Sequence, residues 1–479
     1  MSGLSRERII KGPVVRTLLW LGWPVMLTEF LHMAYSLADT FWLGHLGGDE
    51  GRAAVATLQI SWPVIMVLIS LGLGLGMGGV ALVSQYRGAG LKDEANRSAG
   101  QLISVMIIFS ILIAIVGYPA TPLILNLLGL GESISQGAIL YTRIILLGMP
   151  FEFIAFGIES IFRAYGDTKT PMKVIGLAVT LNIILDPILI FGYSIFPRMG
   201  ILGAAVATLI SYGFAGFIGL YLLFSGMFEI KVKKKDLRPI RDEFSRIAKI
   251  GLPASIGQAG SALGFFILMY IIAQIPDAEM VLSAYGIGNR IINLDFVIIW
   301  GLGAACTTMI GQSLGADRAD RAREVTRKTL MLIFSLLSLT SFILYLLRYQ
   351  AVSIFIVDDP EVVKEGAHFL AIFLVGIPFF GVFQAANSVF QGSGHNIPVM
   401  VAALARLLVL RVPLSYLLGI YLGWGPTGIW TGMALSNFAA AFIGLALLST
   451  GVWKKRVIKE TSIGSEMAAD PEDGNRGWK

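Results

Sequence analysis

Two apolar stretches of the chain each carry a carboxylate four residues after another polar side chain. Tyr35 precedes Asp39, and Asn182 precedes Asp186, a spacing that places the members of each pair on one helix face. Thr208 adds a hydroxyl group in the next apolar stretch. Ionisable groups inside a membrane cost several kcal/mol unless they are paired or hydrated, so they indicate function. We predict that these five residues form one cation-coupling site.

Two different ions suit this set of side chains. Two carboxylates close together in a poorly hydrated cleft favour the capture of a proton. Asn182, Thr208 and the backbone carbonyls that Pro187 leaves unbonded are hard oxygen ligands, which suit Na+ instead. The clustering of acids without an obvious rigid cage favours H+, and Na+ bound by Asp39, Asn182, Asp186 and Thr208 is the alternative.

Other polar residues inside apolar stretches are candidates for binding a transported molecule. We predict a substrate cleft lined by Tyr35, Glu159, Arg163, Asn387 and Gln391. Secondary candidates are Glu29, His32 and Asp295. Glu159 and Arg163 are four residues apart, so they form either a plain ion pair or a functional one. Asp295 has Arg290 nearby as an expected partner, which would make its role structural.

Composition places these residues in a membrane. The 479 residues are 55% hydrophobic and 14% charged, against about 25% charged in a typical soluble protein, and the mean hydropathy is +0.74. A single cysteine excludes an intrachain disulfide and a CxxC motif, and the four scattered histidines form no HExxH. We therefore predict a polytopic membrane protein with no resident metal and no cofactor.

Long apolar runs punctuated by Gly, Pro and charge predict twelve spans, since about 20 apolar residues cross a bilayer. The predicted spans are 14–44, 53–84, 98–126, 134–164, 168–193, 200–227, 246–274, 281–313, 321–348, 362–391, 396–421 and 425–453.

The positions of Lys and Arg predict the orientation of the spans. Of the 37 basic residues, 29 fall in segments on the side of the two termini and four on the opposite side. Because cytoplasmic loops are enriched in Lys and Arg, both termini are expected in the cytoplasm and the protein in the cell (inner) membrane. The basic run from Lys231 to Lys249 fits a topology anchor that contacts lipid headgroups, and nucleic acid is not expected as a partner.

The two halves of the chain repeat each other. The segment LVSQYRGAG at 82–90 matches MIGQSLGAD at 309–317, with Gln85 and Gln312 in register, and FIGL occurs at 217–220 and 442–445. Repeats of six spans each run in the same sense, so they relate by an axis along the membrane normal. We predict an N-terminal lobe at 1–228, a linker at 229–245, a C-terminal lobe at 246–453 and a loose tail at 454–479.

At this point the residues resemble a known family, the multidrug and toxic compound extrusion (MATE) transporters. The motifs that carry the resemblance are YSLADTFWLGHLG at 35–47, AAVATL at 53–58, FRAYGDTKTPM at 162–172, LNIILDP at 181–187, GILGAAVATLIS at 200–211, GIGNRI at 286–291 and GQSLGA at 311–316. The resemblance implies an all-α fold with two pseudo-symmetric six-helix lobes around a central cleft. It also implies export of drugs in exchange for H+ or Na+.

Site residues carried over by position resemble those of the DinF-like branch. Asp39, Asn182, Asp186 and Thr208 match its N-lobe cation site, with Tyr35 adjacent. One departure is Glu159, which lies where that branch suggests an asparagine. Another is that the seventh span, LPASIGQAGSALGFF, lacks the acid of NorM-like members, and the tenth has none beside Asn387. A NorM-type sodium site in the C-lobe is therefore not expected.

These observations predict a monomeric antiporter that exports amphipathic, mainly cationic organic compounds by alternating access. An alternative is a lipid-linked-precursor flippase of the same superfamily, which would favour a cationic cleft where this chain offers acids. Another alternative, an intramembrane enzyme, lacks support because the sequence contains neither GxSxG nor HExxH, and no GxxxxGK[ST] loop indicates ATP-driven pumping.

Overall fold

Twelve long helices account for most of the chain in a computed structural model, which describes residues 4–126, 132–193, 195–356 and 359–458. Each is long and apolar enough to cross a membrane. They are α1 (Val14–Gly44), α2 (Gly48–Ala89), α3 (Lys92–Asn126), α4 (Glu132–Tyr165), α5 (Lys169–Phe191), α6 (Ile201–Ser225), α7 (Arg241–Ile272), α8 (Ala278–Gly315), α9 (Ala319–Leu346), α10 (Pro360–Ser393), α11 (Asn396–Tyr421) and α12 (Gly425–Ser449).

The twelve spans and the all-α fold predicted from the sequence are confirmed, and the described residues contain no strand. Several helices extend beyond the predicted spans. The second span, predicted at 53–84, belongs to a helix that begins at Gly48 and ends at Ala89. A helix of 42 residues is about 63 Å long, so its ends reach beyond a hydrocarbon core of about 30 Å.

Both ends of the described chain lie at one face of the bundle, which we call the terminal face. The short helices Arg6–Lys11 and Val452–Lys454 lie there, and Arg6 donates to the carbonyl of Gly88 at the end of α2. Residues 454–458 of the predicted tail pack against the bundle, and Ile458 is buried. The remainder of that tail lies outside the described residues.

Two large hydrophobic cores divide the bundle into lobes. One is built mainly from α2–α6 and the other mainly from α8–α12. The first turns of α1 and α7 are exchanged between them. Leu18 and Leu21 of α1 belong to the core of the C-terminal lobe, whereas Ile247 and Ile250 of α7 belong to that of the N-terminal lobe. The two pairs occupy equivalent positions in the two halves of the sequence, so the exchange obeys the internal repeat.

Close contacts of α2 with α7 and of α1 with α8 join the lobes. A Cβ atom on Gly74 of α2 would overlap the backbone of Ser255 in α7, whose hydroxyl donates to the Leu71 carbonyl at 2.8 Å. Between the lobes in sequence, the short helix Lys234–Leu237 is held by Gln101 of α3, which donates to the Asp236 carbonyl at 2.6 Å. The linker is therefore fastened to the N-terminal lobe.

Candidate functional site

The five residues predicted to form the coupling site meet inside the N-terminal lobe. The carboxyl groups of Asp39 (α1) and Asp186 (α5) lie close enough to interact electrostatically, and Asp39 also contacts the Tyr35 hydroxyl. The Tyr35 and Thr208 hydroxyl oxygens are 2.5 Å apart, and the Asn182 amide donates to Asp186 Oδ1 at 3.4 Å. Three helices thus bring together side chains that are far apart in the sequence.

Three oxygens of this cluster have no hydrogen-bond donor among the described residues. Asp39 Oδ1, Asn182 Oδ1 and Asp186 Oδ2 are buried and have no hydrogen-bond partner. All three are acceptor oxygens, and buried polar atoms normally find partners. The cluster has therefore the capacity to take up a proton or a small hard cation. Among the described residues, no group of three or more His, Cys, Asp and Glu is placed to hold a metal ion.

Local sequence explains how α5 presents these oxygens. The proline at 187 lies inside the helix and has no N–H group, so the carbonyl of Ile183 loses its helical donor. Asn182 and Asp186 lie four residues apart and share the face that is turned toward α1; both are fully buried. This part of α5 thus combines two buried polar side chains with one backbone carbonyl that has no helical donor.

A small cavity of about 260 Å³ adjoins the coupling cluster. Its walls are His32, Tyr35, Ile175, Ala178, Val179, Asn182, Ser211 and Tyr212. Two polar residues at this place are not among those predicted from the sequence: Tyr212, and the buried acid Glu152 of α4, which lies within electrostatic reach of Tyr212. The rule that marks intramembrane acids as functional would have found Glu152, because it lies in the apolar segment MPFEFIAF.

A larger cavity of about 800 Å³ lies between the lobes. Residues of α1, α2, α4, α8 and α10 line it, including Glu29, Glu159, Arg163, Asn387 and Gln391. Glu159 and Arg163 form an ion pair, so their charges cancel. Glu29 lies within electrostatic reach of both. The structure thus divides the predicted acids: Glu29 and Glu159 line the central cavity, whereas Asp39 and Asp186 lie in the N-terminal lobe.

The side of the central cavity formed by the C-terminal lobe is polar but uncharged. Asn387 donates to Gln384 Oε1 at 2.7 Å, and Gln391 lies one turn further along α10. Trp300 of α8 contributes an aromatic surface. Sequence reasoning missed Gln384 and Trp300, since neither residue type is unusual in an apolar helix. One wall of this cavity therefore carries acids, and the other carries amides and an indole.

The prediction that Asp295 pairs with Arg290 is wrong. Asp295 Oδ1 accepts a hydrogen bond from Thr340 of α9 at 2.5 Å, and Arg290 is exposed. Residues five apart in an α-helix are about 140° apart around its axis, so the two side chains leave α8 on different faces. Among the described residues of α7–α12, Asp295 is the one buried acid.

Twelve apolar helices in two six-helix lobes around a central cavity, with buried carboxyl groups in one lobe, are the architecture of a polytopic membrane transporter. The MatE family model matches the chain twice, at residues 24–188 and 253–417. These two segments make up more than half of the chain, and the protein belongs to the MatE family. Each match begins at a proline, Pro24 in the first half and Pro253 in the second, in agreement with the repeat.

Relatives of similar length have different named roles. The chain is 28% identical to "Probable multidrug resistance protein NorM" of Thermotoga maritima, over 95% of this chain and 96% of that protein. It is 26% identical to "FAD transporter" of Shewanella oneidensis, over 90% and 94%. Among solved structures, "Crystal structure of MATE in complex with MaL6" superimposes with a TM-score of 0.87 at 24% identity, covering 94% of this chain and 99% of that one.

Proposed function

We propose that this protein is a secondary active antiporter that exports amphipathic, mainly cationic organic compounds in exchange for H+. The observation that carries the proposal is the buried pair Asp39–Asp186 beside a small cavity of the N-terminal lobe, in a fold whose larger cavity lies between two lobes. Transport by rocking of the lobes involves no covalent step, and the names of the relatives are those of transporters. We therefore propose a role other than that of an enzyme.

The choice of H+ over Na+ rests on the contact between the two carboxyl groups. Two ionised carboxylates in a poorly hydrated interior repel each other, so the pair Asp39–Asp186 favours the uptake of a proton by one of them. The remaining acceptors, including Asn182 Oδ1, keep Na+ as the alternative ion. Either ion would neutralise charge at the same place.

Helix α1 provides the mechanical link in this proposal. Its first turns pack in the core of the C-terminal lobe, and Pro24 follows them inside the helix. Beyond Pro24, Glu29 faces the central cavity and Asp39 belongs to the coupling cluster. Neutralisation of Asp39 would release α1 to bend at Pro24, where the helix lacks one hydrogen bond. Bending would move Glu29, weaken substrate binding and open the way out.

The charge of the central cavity supports the substrate class. The ion pair Glu159–Arg163 is neutral overall, so Glu29 leaves a net negative charge on the walls. An organic cation gains from this charge, whereas a compact anion is repelled. Trp300 and the apolar side chains of α2 suit an aromatic ring system. Substrates of this class are monovalent cations or zwitterions with aromatic rings.

The orientation in the membrane is part of the proposal. The terminal face carries most of the Lys and Arg residues, which supports a cytoplasmic position for both termini in the inner membrane. The protein would then act as a monomer in the lipid bilayer, without a cofactor.

Purified protein in proteoliposomes tests the coupling. A fluorescent organic cation such as ethidium is the probe, and a pH gradient and a sodium gradient are imposed separately. We expect the pH gradient alone to drive accumulation, and Asp39→Asn and Asp186→Asn each to abolish it. The control is Asp49→Asn, the same change at an exposed acid at the start of α2, which should leave transport intact.

Three results decide between the possibilities. Transport by both mutants at the wild-type rate would refute the carboxyl pair as the coupling site. A response to sodium alone would refute the choice of H+ and keep the site. A panel in which only anionic compounds were transported would refute the substrate class.

A further inference from the structure

Two arginines lie inside the C-terminal lobe at the place that corresponds to the coupling cluster of the N-terminal lobe. Arg411 of α11 comes 229 residues after Asn182. The two matches to the family model, which begin at Pro24 and Pro253, are also 229 residues apart. Asn437 of α12 follows Tyr212 at the spacing that separates the two FIGL segments. The repeat therefore places guanidinium groups in one lobe where the other lobe has acidic and neutral oxygens.

The backbone of α11 brings Arg406 and Arg411 to the same side. The segment Ala405–Arg411 is a π-helix, in which hydrogen bonds join residues five apart. In a regular α-helix, residues five apart are about 140° apart around the axis, whereas in a π-helix they lie about one turn apart. The π-helical segment thus aligns two positive side chains that an α-helix would separate. Such segments occur frequently at functional sites.

Both arginines converge on one asparagine. Arg411 Nη2 donates to Asn437 Oδ1 at 2.7 Å, and Arg406 Nη1 donates to the same oxygen at 3.5 Å. Arg411 Nε donates to the hydroxyl of Ser436 at 3.1 Å. The guanidinium of Arg406 lies 4.9 Å from the ring centre of Phe380. One neutral oxygen is thus shared between two cationic groups.

The two arginines lack a negative partner. Among the described residues, neither forms an ion pair with a carboxylate. Arg406 is 6% exposed and Asn437 is 0% exposed, yet Arg406 Nε and Asn437 Nδ2 have no acceptor. Both unpartnered groups are donors. Two like charges beside two unpartnered donors, in a poorly hydrated interior, require an acceptor with negative charge.

We propose that Arg406, Arg411 and Asn437 form a binding site for one carboxylate or phosphate group in the C-terminal lobe. The planar fork of a guanidinium matches the two oxygens of such a group. Arg406 lies about 15 Å from the start of α11, and Arg411 lies about 15 Å from its end. Lipid headgroups do not reach this depth. The group comes either from a free small anion or from the anionic part of a transported molecule.

This site is independent of the proposed coupling chemistry. Binding to purified protein requires no gradient and no carboxyl pair, so an Asp39→Asn variant should bind the anion as the wild type does. A wild-type protein that binds the anion but shows no ion-driven transport would refute the proposed function only.

Binding is measured by calorimetry and by thermal unfolding of the purified protein in detergent. Sodium acetate and sodium phosphate are the probes, at an ionic strength kept constant with a bulky sulfonate. We expect saturable binding of one anion per chain and a rise in unfolding temperature. Arg406→Gln and Arg411→Gln should each weaken binding at least tenfold, whereas the control Arg143→Gln, an arginine of α4 that donates to the Tyr118 carbonyl, should not.

The same variants separate a binding role from a structural one. Without anion, loss of an uncompensated buried charge should leave the unfolding temperature of Arg411→Gln unchanged or raised. No binding of either anion by the wild type would overturn the proposal, and a lowered unfolding temperature for both variants would then identify a structural role. Binding that both variants retain in full would also overturn the proposal.

The source of the anion is found by transport in proteoliposomes. A rhodamine with a free carboxylate is compared with its methyl ester. If the substrate supplies the anion, Arg411→Gln loses transport of the free acid and keeps that of the ester. If a free anion occupies the site, acetate binds tightly, and the variant affects both dyes equally. Both outcomes support the site, and calorimetry without binding overturns it.

Discussion

Gln85 and Gln312 make equivalent hydrogen bonds across the lobe interface, each to the backbone of the opposite lobe. Gln85 Nε2 donates to the Ser393 carbonyl at 3.1 Å, and Gln312 Nε2 donates to the Ala164 carbonyl at 2.8 Å. These contacts lie between the central cavity and the terminal face of the bundle. The repeat at Gln85 and Gln312 thus corresponds to a symmetric pair of contacts between the lobes. We call this pair of contacts the seal, because it closes one end of the cavity.

Glycines allow the two helices of the seal to approach. A Cβ atom on Gly88 would overlap the Gln312 carbonyl oxygen, and one on Gly315 would overlap the Gln85 carbonyl oxygen. We expect Gly88→Ala to destabilise this closed arrangement by about 2 kcal/mol, as overpacking does, and to lower the unfolding temperature. The matched control is Gly286→Ala in α8, where no atom lies within 4 Å of the added methyl group. Equal unfolding temperatures for the two variants would contradict the tight seal.

The turn between α10 and α11 should make stability depend on pH. Burial lowers the pKa of His395 below its usual 6.5, although its contact with Ser393 opposes this shift. The unfolded chain therefore binds a proton more readily, and stability that is present above about pH 6.5 is lost as the pH falls. We expect the unfolding temperature to drop less between pH 7.5 and 5.5 in His395→Gln than in the wild type. His45→Gln, at an exposed histidine, should behave as the wild type; the prediction fails if His395→Gln does so too.

Glu29 should determine the affinity for cations. It is the charge of the central cavity that the Glu159–Arg163 pair does not cancel. A charge at about 8 Å in a partly hydrated cavity contributes about 1 kcal/mol, or about fivefold in Kd. We expect Glu29→Gln to weaken ethidium binding by about fivefold, measured by fluorescence titration. The exposed Glu279→Gln is the control, and an unchanged affinity in Glu29→Gln would remove Glu29 from the substrate site.

The number of spans and the members of the buried acidic cluster could be predicted from the sequence because each depends on local features. Apolar length defines a span, and the spacing of Asp39 and Asp186 from their polar neighbours is read along a single helix. The family resemblance identified the same residues. The contact between these acids depends on the fold and cannot be read from one helix. A partner for each acid could nevertheless be expected, because an isolated charge is costly in a membrane.

The place of Glu29 could not be predicted in this way. In a membrane bundle both buried and lipid-facing surfaces are apolar, so periodicity does not tell which neighbour a helix face meets. Glu29 lies ten residues before Asp39 on α1, and this spacing does not indicate that Glu29 lines the central cavity. The alignment of Arg406 with Arg411 was hidden as well, since it depends on a π-helical segment that no residue pattern marks.

Asp295 should be structural. Its Oδ1 accepts from Thr340 at 2.5 Å, and its other oxygen is buried without a partner, inside the C-terminal lobe and away from the coupling cluster. We expect Asp295→Asn to lower the unfolding temperature, because the amide oxygen is a weaker acceptor for Thr340 and the new NH2 group is buried without an acceptor, which costs about 1–3 kcal/mol. Thr340→Val, which removes the donor, should have a similar effect on stability. In proteoliposomes, the ion dependence of both variants should match that of the wild type once transport is scaled to folded protein. Ion-driven efflux that vanished in Asp295→Asn at normal amounts of folded protein would place coupling in the second lobe, whereas its loss only in proportion to the folded fraction agrees with a structural role.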